Sequence, residues 1–195
     1  MAIEQTLYKD YLISIDYDWD PVNPREWDNF GTMVCFHNKY TLGDKHNLES
    51  PDYSSWAEVR DAIEADLGAM VILPLYLYDH SGISMRVGSF RGVAQHAGWD
   101  SGQVGFIYCT DGDMVANGIK DLAQAEALLR GEVEAYDCYL TGQVYTYRIE
   151  RQSTCDSCHN TSAEIVDSCS GWYSHDDAMK EAMQVVDYRS AQVLA

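Results

Sequence analysis

Segments with the two-residue periodicity of β-strands and segments with the periodicity of helices follow one another along this chain in irregular order. Tyr11–Tyr17 (YLISIDY) alternates apolar and polar residues, as a half-buried strand does. In Ser55–Leu67 the apolar residues recur at spacings of three and four, which gives a helix one apolar face. Because strands and helices do not alternate regularly, the pattern predicts an α+β fold, with a mostly antiparallel sheet packed against two or three helices.

The other elements are predicted by the same two periodicities. Strands are predicted at Thr32–His37, Ala69–Tyr78, Ile83–Arg86, Val104–Thr110, Gln143–Glu150 and Glu164–Cys169. The last two of these strands can pair antiparallel across a loop. Helices are predicted at Lys120–Leu140, where Glu126 and Arg130 can pair, and at Ser174–Ser190, with Ser174 as its cap. Ser54 or Ser55 is expected to cap the first helix, and Gly68 to end it. Pro74 is expected to place its strand at a sheet edge or at a bulge. A chain of 195 residues is too short for two comfortable domains, so residues 1–195 are predicted to form a single domain.

The chain is strongly acidic. Its 13 Lys and Arg stand against 31 Asp and Glu, for a formal net charge of −18. Nucleic acids and anionic membranes require a cationic surface, so direct binding to either is not expected. The charge favours a basic protein partner, such as one with a positively charged groove for nucleic acid. Solubility and adaptation to high salt are the plainer explanations of the same charge.

Acidic residues also have helical spacing. Glu58, Asp61 and Glu64 are spaced by three on the first predicted helix, and we call these three residues the acidic ridge and predict that they bind a partner. Acidic residues on the other two helices add to this surface: Glu126, Glu132, Glu134, Asp137, Asp176, Asp177, Glu181 and Asp187. Carboxylates at regular spacing resemble the phosphates of a duplex, so the pattern is that of a nucleic-acid mimic.

The N-terminus and the cysteines bear on the compartment. No basic segment leads into a hydrophobic stretch at the N-terminus, and no apolar run approaches the roughly 20 residues that span a bilayer. A cytoplasmic location is expected. The six cysteines are then expected to be mostly free thiols, with Cys35 and Cys109 in the core.

Two polar segments flank predicted strands and supply candidate catalytic residues. Asp79 and His80 follow a buried strand, and Asp100 precedes another, so the three would form a site if the hairpin turn Asp79–Gly82 lies beside the loop Trp99–Gln103. His80 would act as general acid or base, oriented by an aspartate. Residues beside them are candidates for ligand binding: Ser81, Trp99, Ser101 and Gln103. Ordinary turns rich in Asp, Ser and Gly explain the same residues.

A cysteine-rich loop offers candidate metal ligands. Cys155, Cys158, Cys169 and His175 supply the residue types of a zinc site. The last two are six residues apart and fall on different predicted elements, whereas structural zinc sites commonly use two close pairs. An incidental loop accounts for the pattern better, so neither a metal nor another cofactor is predicted.

Several motifs together resemble a family of small, uncharacterised proteins encoded by bacteriophages and mobile elements. The segments that carry the resemblance are Asp28–His37 (DNFGTMVCFH), Leu73–Met85 (LPLYLYDHSGISM), Trp99–Tyr108 (WDSGQVGFIY), Glu132–Tyr145 (EVEAYDCYLTGQVY) and Asp167–Tyr173 (DSCSGWY). The chain departs from the pattern at Gln152–Ala163, and Asp111–Gly118 is also unlike it. The resemblance implies a phage or mobile-element context and no residue-level role.

Two hypotheses of function follow, from different classes. The first is a non-enzymatic inhibitor that occupies the cationic surface of a host or defence protein, as a nucleic-acid mimic with anti-defence activity. The alternative is a small hydrolase-like enzyme that acts on a nucleotide or nucleic-acid-derived ligand at Asp79, His80 and Asp100. No recognised catalytic motif is present, which favours the inhibitor. A virion component is a third reading, for which the sequence offers no heptads and no self-association signal.

Overall fold

The computed structural model describes residues 2–154 and 161–193, and these ranges contain eight strands and five helices. The strands are β1 (Glu4–Tyr8), β2 (Tyr11–Tyr17), β3 (Thr32–Cys35), β4 (Ala69–Asp79), β5 (Ile83–Val87), β6 (Ser101–Thr110), β7 (Tyr145–Thr154) and β8 (Thr161–Trp172). The helices are α1 (Trp56–Leu67), α2 (Ala97–Asp100), α3 (Asp111–Ala116), α4 (Leu122–Thr141) and α5 (His175–Val193). Two short 3₁₀ turns lie at Pro24–Glu26 and Ser50–Asp52.

The strands form two antiparallel sheets, each of four strands. One sheet has the order β1-β2-β7-β8 and the other β3-β6-β4-β5. The predicted α+β class and antiparallel pairing are confirmed. The sequence pattern implied one sheet rather than two, because the periodicity of a segment does not say which distant segment it pairs with.

The contacts divide the chain into two compact units. Unit 1 comprises Met1–Val22 and Gly142–Ala195, and unit 2 is the continuous segment Asn23–Thr141. Each unit contains one of the sheets and its own buried apolar residues. That residues 1–195 behave as a single domain stays a prediction, which one cooperative unfolding transition would support. No helix in the described ranges is both long and apolar enough to cross a membrane.

In unit 2 a helix covers each face of the sheet. Val59 and Ile63 of α1 pack against Phe106 and Tyr108 of β6 on one face. On the other face, apolar residues of α4 pack against alternate residues of β4: Ala125, Leu129, Val133 and Tyr136 meet Leu73, Leu75 and Leu77. The alternation of β4 between two covered faces explains why its sequence is almost continuously apolar.

The ends of α1 are fixed by the residues that the sequence indicated. The Ser55 hydroxyl accepts a hydrogen bond from the Glu58 backbone N–H, and Gly68 ends the helix with φ of 66°. Val59 and Ile63 are buried, so α1 is anchored by its apolar face and by both caps. The opposite face of the helix is therefore held in a fixed position.

In unit 1, α5 packs against the sheet through small residues. Ala178, Ala182 and Val186 are fully buried against Ile13 of β2 and Ile149 of β7. The Ser174 hydroxyl accepts a hydrogen bond from the Asp177 backbone N–H, which confirms the predicted cap. The predicted pairing of β7 with β8 is also confirmed.

Pro74 lies on an interior strand, because β4 pairs with both β6 and β5. The edge alternative is therefore wrong, and the bulge alternative holds: the β4–β6 register shifts between Leu75 and Tyr76. The Pro74 carbonyl accepts from the Gly88 backbone N–H, just past the end of β5. The N–H that Pro74 lacks would point to the same side, just beyond the end of β5, so no hydrogen bond within the β4–β5 pairing is lost.

Candidate functional site

The structure brings His80 and Asp100 into contact at one end of the unit 2 sheet. His80 follows β4 in the turn to β5, and Asp100 ends α2, immediately before β6. Nδ1 of His80 lies 2.9 Å from Oδ2 of Asp100. The side chains are 52% and 29% exposed, so this pair lies at the surface. The turn at 79–82 thus lies beside the segment at 99–103, a condition that the sequence had left open.

Asp79 does not belong to this pair. Successive strand residues point to opposite faces, so Asp79 and His80 diverge. Asp79 instead accepts hydrogen bonds from Lys39 Nζ at 3.0 Å and from the Tyr40 hydroxyl at 3.2 Å. The hydrogen bond from Lys39 lowers the pKa of Asp79. The predicted three-residue cluster is thereby reduced to His80 and Asp100.

A row of neighbouring rings leads to His80. The Phe90 and Tyr78 centroids are 5.5 Å apart, and Tyr78 and His80 are 5.9 Å apart. His96 lies 6.3 Å beyond His80, and the Arg86 guanidinium lies 5.6 Å from the Phe90 centroid. Phe90, Arg86 and His96 were not predicted from the sequence to lie here. The sequence indicated only that Tyr78 and His80 lie on the same side, because residues two apart on a strand share a face.

The predicted ligand-binding residues have different surroundings. Ser81 is exposed with φ of 60°, and Trp99 is 92% exposed. The Ser101 hydroxyl donates to the Ala97 carbonyl, and Gln103 Nε2 donates to the Gly105 carbonyl at 3.4 Å. The sequence predicted a loop at 99–103, and this prediction is wrong: the segment is the end of α2 and the start of β6. Ser101 and Gln103 are thereby committed to local contacts.

The chemistry open to His80 is proton transfer. Its Nδ1 is occupied by Asp100, which leaves Nε2 to exchange a proton with a substrate or water. Within the described residues, no side chain other than Asp100 is hydrogen-bonded to the His80 ring. The pair therefore has the base and its orienting carboxylate but no side-chain nucleophile in contact.

The acidic ridge lies on the solvent-facing side of α1. Glu58, Asp61 and Glu64 are all exposed. Glu58 accepts hydrogen bonds from the Ser54 hydroxyl at 2.7 Å and from the Ser54 N–H at 2.8 Å, which lower its pKa. In the part of the chain that the structure describes, no Lys, Arg or His pairs with Asp61 or Glu64. Two of the three carboxylates are available to an external cation.

Several acidic residues predicted for the same surface are committed to internal contacts. Glu132 binds the Arg25 guanidinium and two backbone N–H groups. Asp137 is half-buried and accepts from the Met85 N–H, and burial raises its pKa. Glu126 pairs with Arg130 at 2.7 Å, as the sequence predicted. These three side chains do not extend the acidic surface.

In unit 1, some of the acidic residues predicted for this surface are paired and others are exposed. Asp187 accepts from Tyr8 and pairs with Lys9 at 2.8 Å. Asp176 and Asp177 are exposed at the start of α5. The exposed acidic residues of α5 thus lie near both ends of the helix, and Asp187, the one nearer its C-terminal end, is already paired with Lys9.

Among the described residues, no group of three or more His, Cys, Asp or Glu side chains is placed to hold a metal ion. Cys169 is exposed on β8, and His175 lies 3.2 Å from a Glu4 oxygen. Cys155 and Cys158 lie outside the described residues, so the four-ligand zinc hypothesis is untested there. The buried thiols Cys35 and Cys109 belong to the core, as predicted.

Comparison with protein-family models, with curated proteins and with solved structures finds no match to this chain. A function for it is therefore argued from its own geometry and charge.

Proposed function

We propose that this chain is a non-enzymatic accessory protein that binds and inhibits a basic, nucleic-acid-binding protein through the acidic ridge of α1. The observation that carries the proposal is the exposed pair Asp61 and Glu64, which has no cationic partner among the described residues. An exposed acidic helix with unpaired carboxylates is complementary to a cationic groove that holds nucleic acid. The ridge would then take the place of the phosphates.

The rigid placement of α1 favours its role as the binding surface for a partner. A partner gains affinity when the groups that it meets are already fixed, since less side-chain and backbone freedom is lost on binding. α1 is capped by Ser55 and Gly68, and its inner face is buried at Val59 and Ile63. The ridge is therefore presented by a rigid helix rather than by a loop.

The context of the proposal comes from the sequence. The resemblance to phage and mobile-element proteins makes a host defence protein the proposed partner, in the cytoplasm of the host cell. The net charge of −18 opposes direct binding to nucleic acid and speeds encounter with a basic protein.

A competition pull-down tests the proposal. The tagged protein is incubated with host lysate, and retained proteins are released first by duplex DNA and then by stepwise salt. A genuine target is displaced by duplex DNA and dissociates from the tagged protein at moderate salt, because the Debye screening length falls from about 10 Å at 0.1 M to 3 Å at 1 M. The ridge variant Glu58→Gln/Asp61→Asn/Glu64→Gln is expected to bind that target about tenfold more weakly at low salt.

The control is a variant with the same change of net charge elsewhere. Asp20→Asn/Glu134→Gln/Glu164→Gln removes three exposed carboxylates outside the ridge. It should retain the target nearly as well as the unmodified chain. If both variants lose affinity equally, net charge rather than the ridge governs binding. If neither does, the inhibitor proposal is wrong.

The contact between His80 and Asp100 favours a second candidate function, a small hydrolase-like enzyme acting on a nucleotide or nucleic-acid-derived ligand. His80 would be the general base, with Asp100 holding its tautomer through the 2.9 Å contact. Hydrolysis of thymidine 5′-monophosphate p-nitrophenyl ester provides the assay. His80→Gln should abolish turnover, Asp100→Asn should lower it and change its pH profile, and Asp79→Asn should leave it intact. Turnover that survives His80→Gln would exclude this candidate.

A further inference from the structure

A small cavity lies at the N-terminal end of α1, next to the acidic ridge. Its volume is about 230 Å³, and four of its lining residues are aromatic or apolar: Phe36, Tyr53, Trp56 and Val59. The serines that complete the lining are exposed, so the cavity is open to solvent. Pockets for drug-sized molecules measure about 300–1,000 Å³, so this cavity suits a single side chain better than a whole small molecule.

The aromatic wall of the cavity is held in place by packing. The Trp56 ring lies 6.1 Å from the Phe36 ring and 6.0 Å from the Phe106 ring, measured between centroids. Phe106 and Val59 are buried, and they anchor the wall to the sheet of unit 2. The rings are thus already arranged before a partner arrives, which reduces the freedom lost on binding.

The surroundings of the cavity are acidic. Residues 47–66 supply all but one of its lining residues, and they contain six Asp and Glu but one cation, the exposed Arg60. The Ser54 hydroxyl and backbone N–H, on the cavity wall, donate to the Glu58 carboxylate. Within the described ranges no Lys, Arg or His pairs with Glu58, so its charge is not neutralised.

Aromatic rings beside a carboxylate define the chemistry of the occupant. The face of a Trp or Tyr ring attracts a cation, and the apolar stem of a long basic side chain packs against rings while its charged end stays near water. Arginine suits such a site better than lysine, because its planar guanidinium stacks on aromatic rings and pairs with carboxylates through two hydrogen bonds.

We propose that this cavity receives an arginine side chain of the basic partner, with the stem against Tyr53 and Trp56 and the guanidinium paired with Glu58. The inference rests on the proposed inhibitor function, because it takes the partner to be a basic protein that meets the ridge. It adds which residue the partner presents at the N-terminal end of α1.

Fluorescence anisotropy with two labelled peptides tests the cavity apart from the ridge. Hexaarginine and hexalysine carry the same charge, so the ridge attracts them equally, and only the cavity discriminates between them. At low salt the unmodified protein is expected to bind hexaarginine about fivefold more tightly than hexalysine. Equal affinity for the two peptides would overturn the arginine site.

Two aromatic substitutions locate the preference. Trp56→Leu and Tyr53→Leu should each reduce the ratio of the two affinities toward one while leaving hexalysine affinity nearly unchanged. Trp19→Leu is the matched control, because Trp19 is 87% exposed and lies in unit 1, and it should keep the ratio. Far-UV circular dichroism checks folding, and Tyr53→Leu decides if Trp56→Leu does not fold. A folded Tyr53→Leu protein with the full preference for arginine would show that the cavity does not recognise it.

The carboxylate is tested by removing its charge alone. Glu58→Gln keeps an oxygen for the Ser54 hydrogen bonds and should weaken hexaarginine binding about threefold, whereas Glu134→Gln, away from the cavity, should not. Equal effects of the two would exclude pairing with Glu58.

The same titrations separate this inference from the proposed function. If the triple ridge variant loses affinity for both peptides but neither peptide is preferred, the inhibitor proposal stands and the arginine site is wrong. If neither peptide binds the unmodified protein at low salt, both are wrong.

Discussion

Replacing Arg25 with methionine is expected to be among the most damaging single changes to unit 2. The Arg25 side chain is 2% exposed, and its guanidinium donates to Asp44, to Glu132 and to the Gly31 carbonyl. Burial alone would lower the pKa of Arg25, but its hydrogen bonds to Asp44 and Glu132 outweigh burial and raise the pKa. The guanidinium therefore stays charged and joins three segments of unit 2.

The magnitude follows from what the substitution leaves behind. Methionine keeps the apolar stem but leaves the carboxylates of Asp44 and Glu132, 21% and 16% exposed, without their cation. Removing one partner of a buried ion pair costs about 3–5 kcal/mol, and the partial exposure of both carboxylates favours the lower figure. The exposed pair of Arg130 with Glu126 is the matched comparison, since breaking it costs about 0.3–0.5 kcal/mol.

Urea denaturation followed by circular dichroism measures the difference. With a slope near 2 kcal/mol/M, Arg25→Met should lower the midpoint by about 1.5 M, and Arg130→Met by about 0.2 M. Adding Glu132→Gln to Arg25→Met should restore part of the loss, because one uncompensated carboxylate is removed while its contact with the Phe30 N–H is kept. If the two single variants have the same midpoint, the reasoning about buried charge is refuted.

Three further changes test the packing, a buried carboxyl and the thiols. Gly105→Ala should destabilise the protein by about 1–3 kcal/mol in urea denaturation, because the added Cβ would lie 1.9 Å from the Val34 carbonyl oxygen. Gly102→Ala, also in β6, should be nearly neutral, because its Cβ would have no neighbour within 4 Å. Equal effects of the two substitutions would contradict the crowding at Gly105. Burial raises the pKa of Asp137, so the charged carboxylate opposes folding above that pKa. Asp137→Asn should therefore raise the melting temperature at pH 7, and the gain should shrink as pH falls and the Asp137 carboxyl becomes neutral like the amide. A gain that does not change with pH would show that the buried charge is not its cause. At pH 8 iodoacetamide should alkylate the exposed Cys169 and spare Cys35, whose pKa is about 12, until urea unfolds the chain; mass spectrometry of peptides reads this out.

Most of the predictions that were confirmed rested on local pattern. The alternation in Tyr11–Tyr17, the cap at Ser55 and the pair of Glu126 with Arg130 each involve residues within a few positions of one another. The short segments Glu4–Tyr8 and Asp111–Ala116 were missed because neither is long enough to show a clear period. Short elements are stabilised mainly by what they pack against.

The candidate site was predicted only in part, for a reason that lies in strand geometry. His80 and Asp100 were both proposed from the sequence, but their contact depends on how β4, β6 and α2 meet. Asp79 was grouped with them because it is adjacent to His80, and the strand places the two on opposite faces.

The sequence by itself determined the class of secondary structure, the main caps and the surplus of negative charge, because these depend on neighbouring residues and on composition. Only the tertiary structure decided which carboxylates are free and which are used internally. Glu132 meets Arg25 across more than a hundred residues, whereas Asp61 and Glu64 are exposed on α1. It also decided that His46 Nδ1 is buried without a hydrogen-bond partner among the described residues. Such pairings depend on chain segments far apart in sequence, and local periodicity carries no information about them.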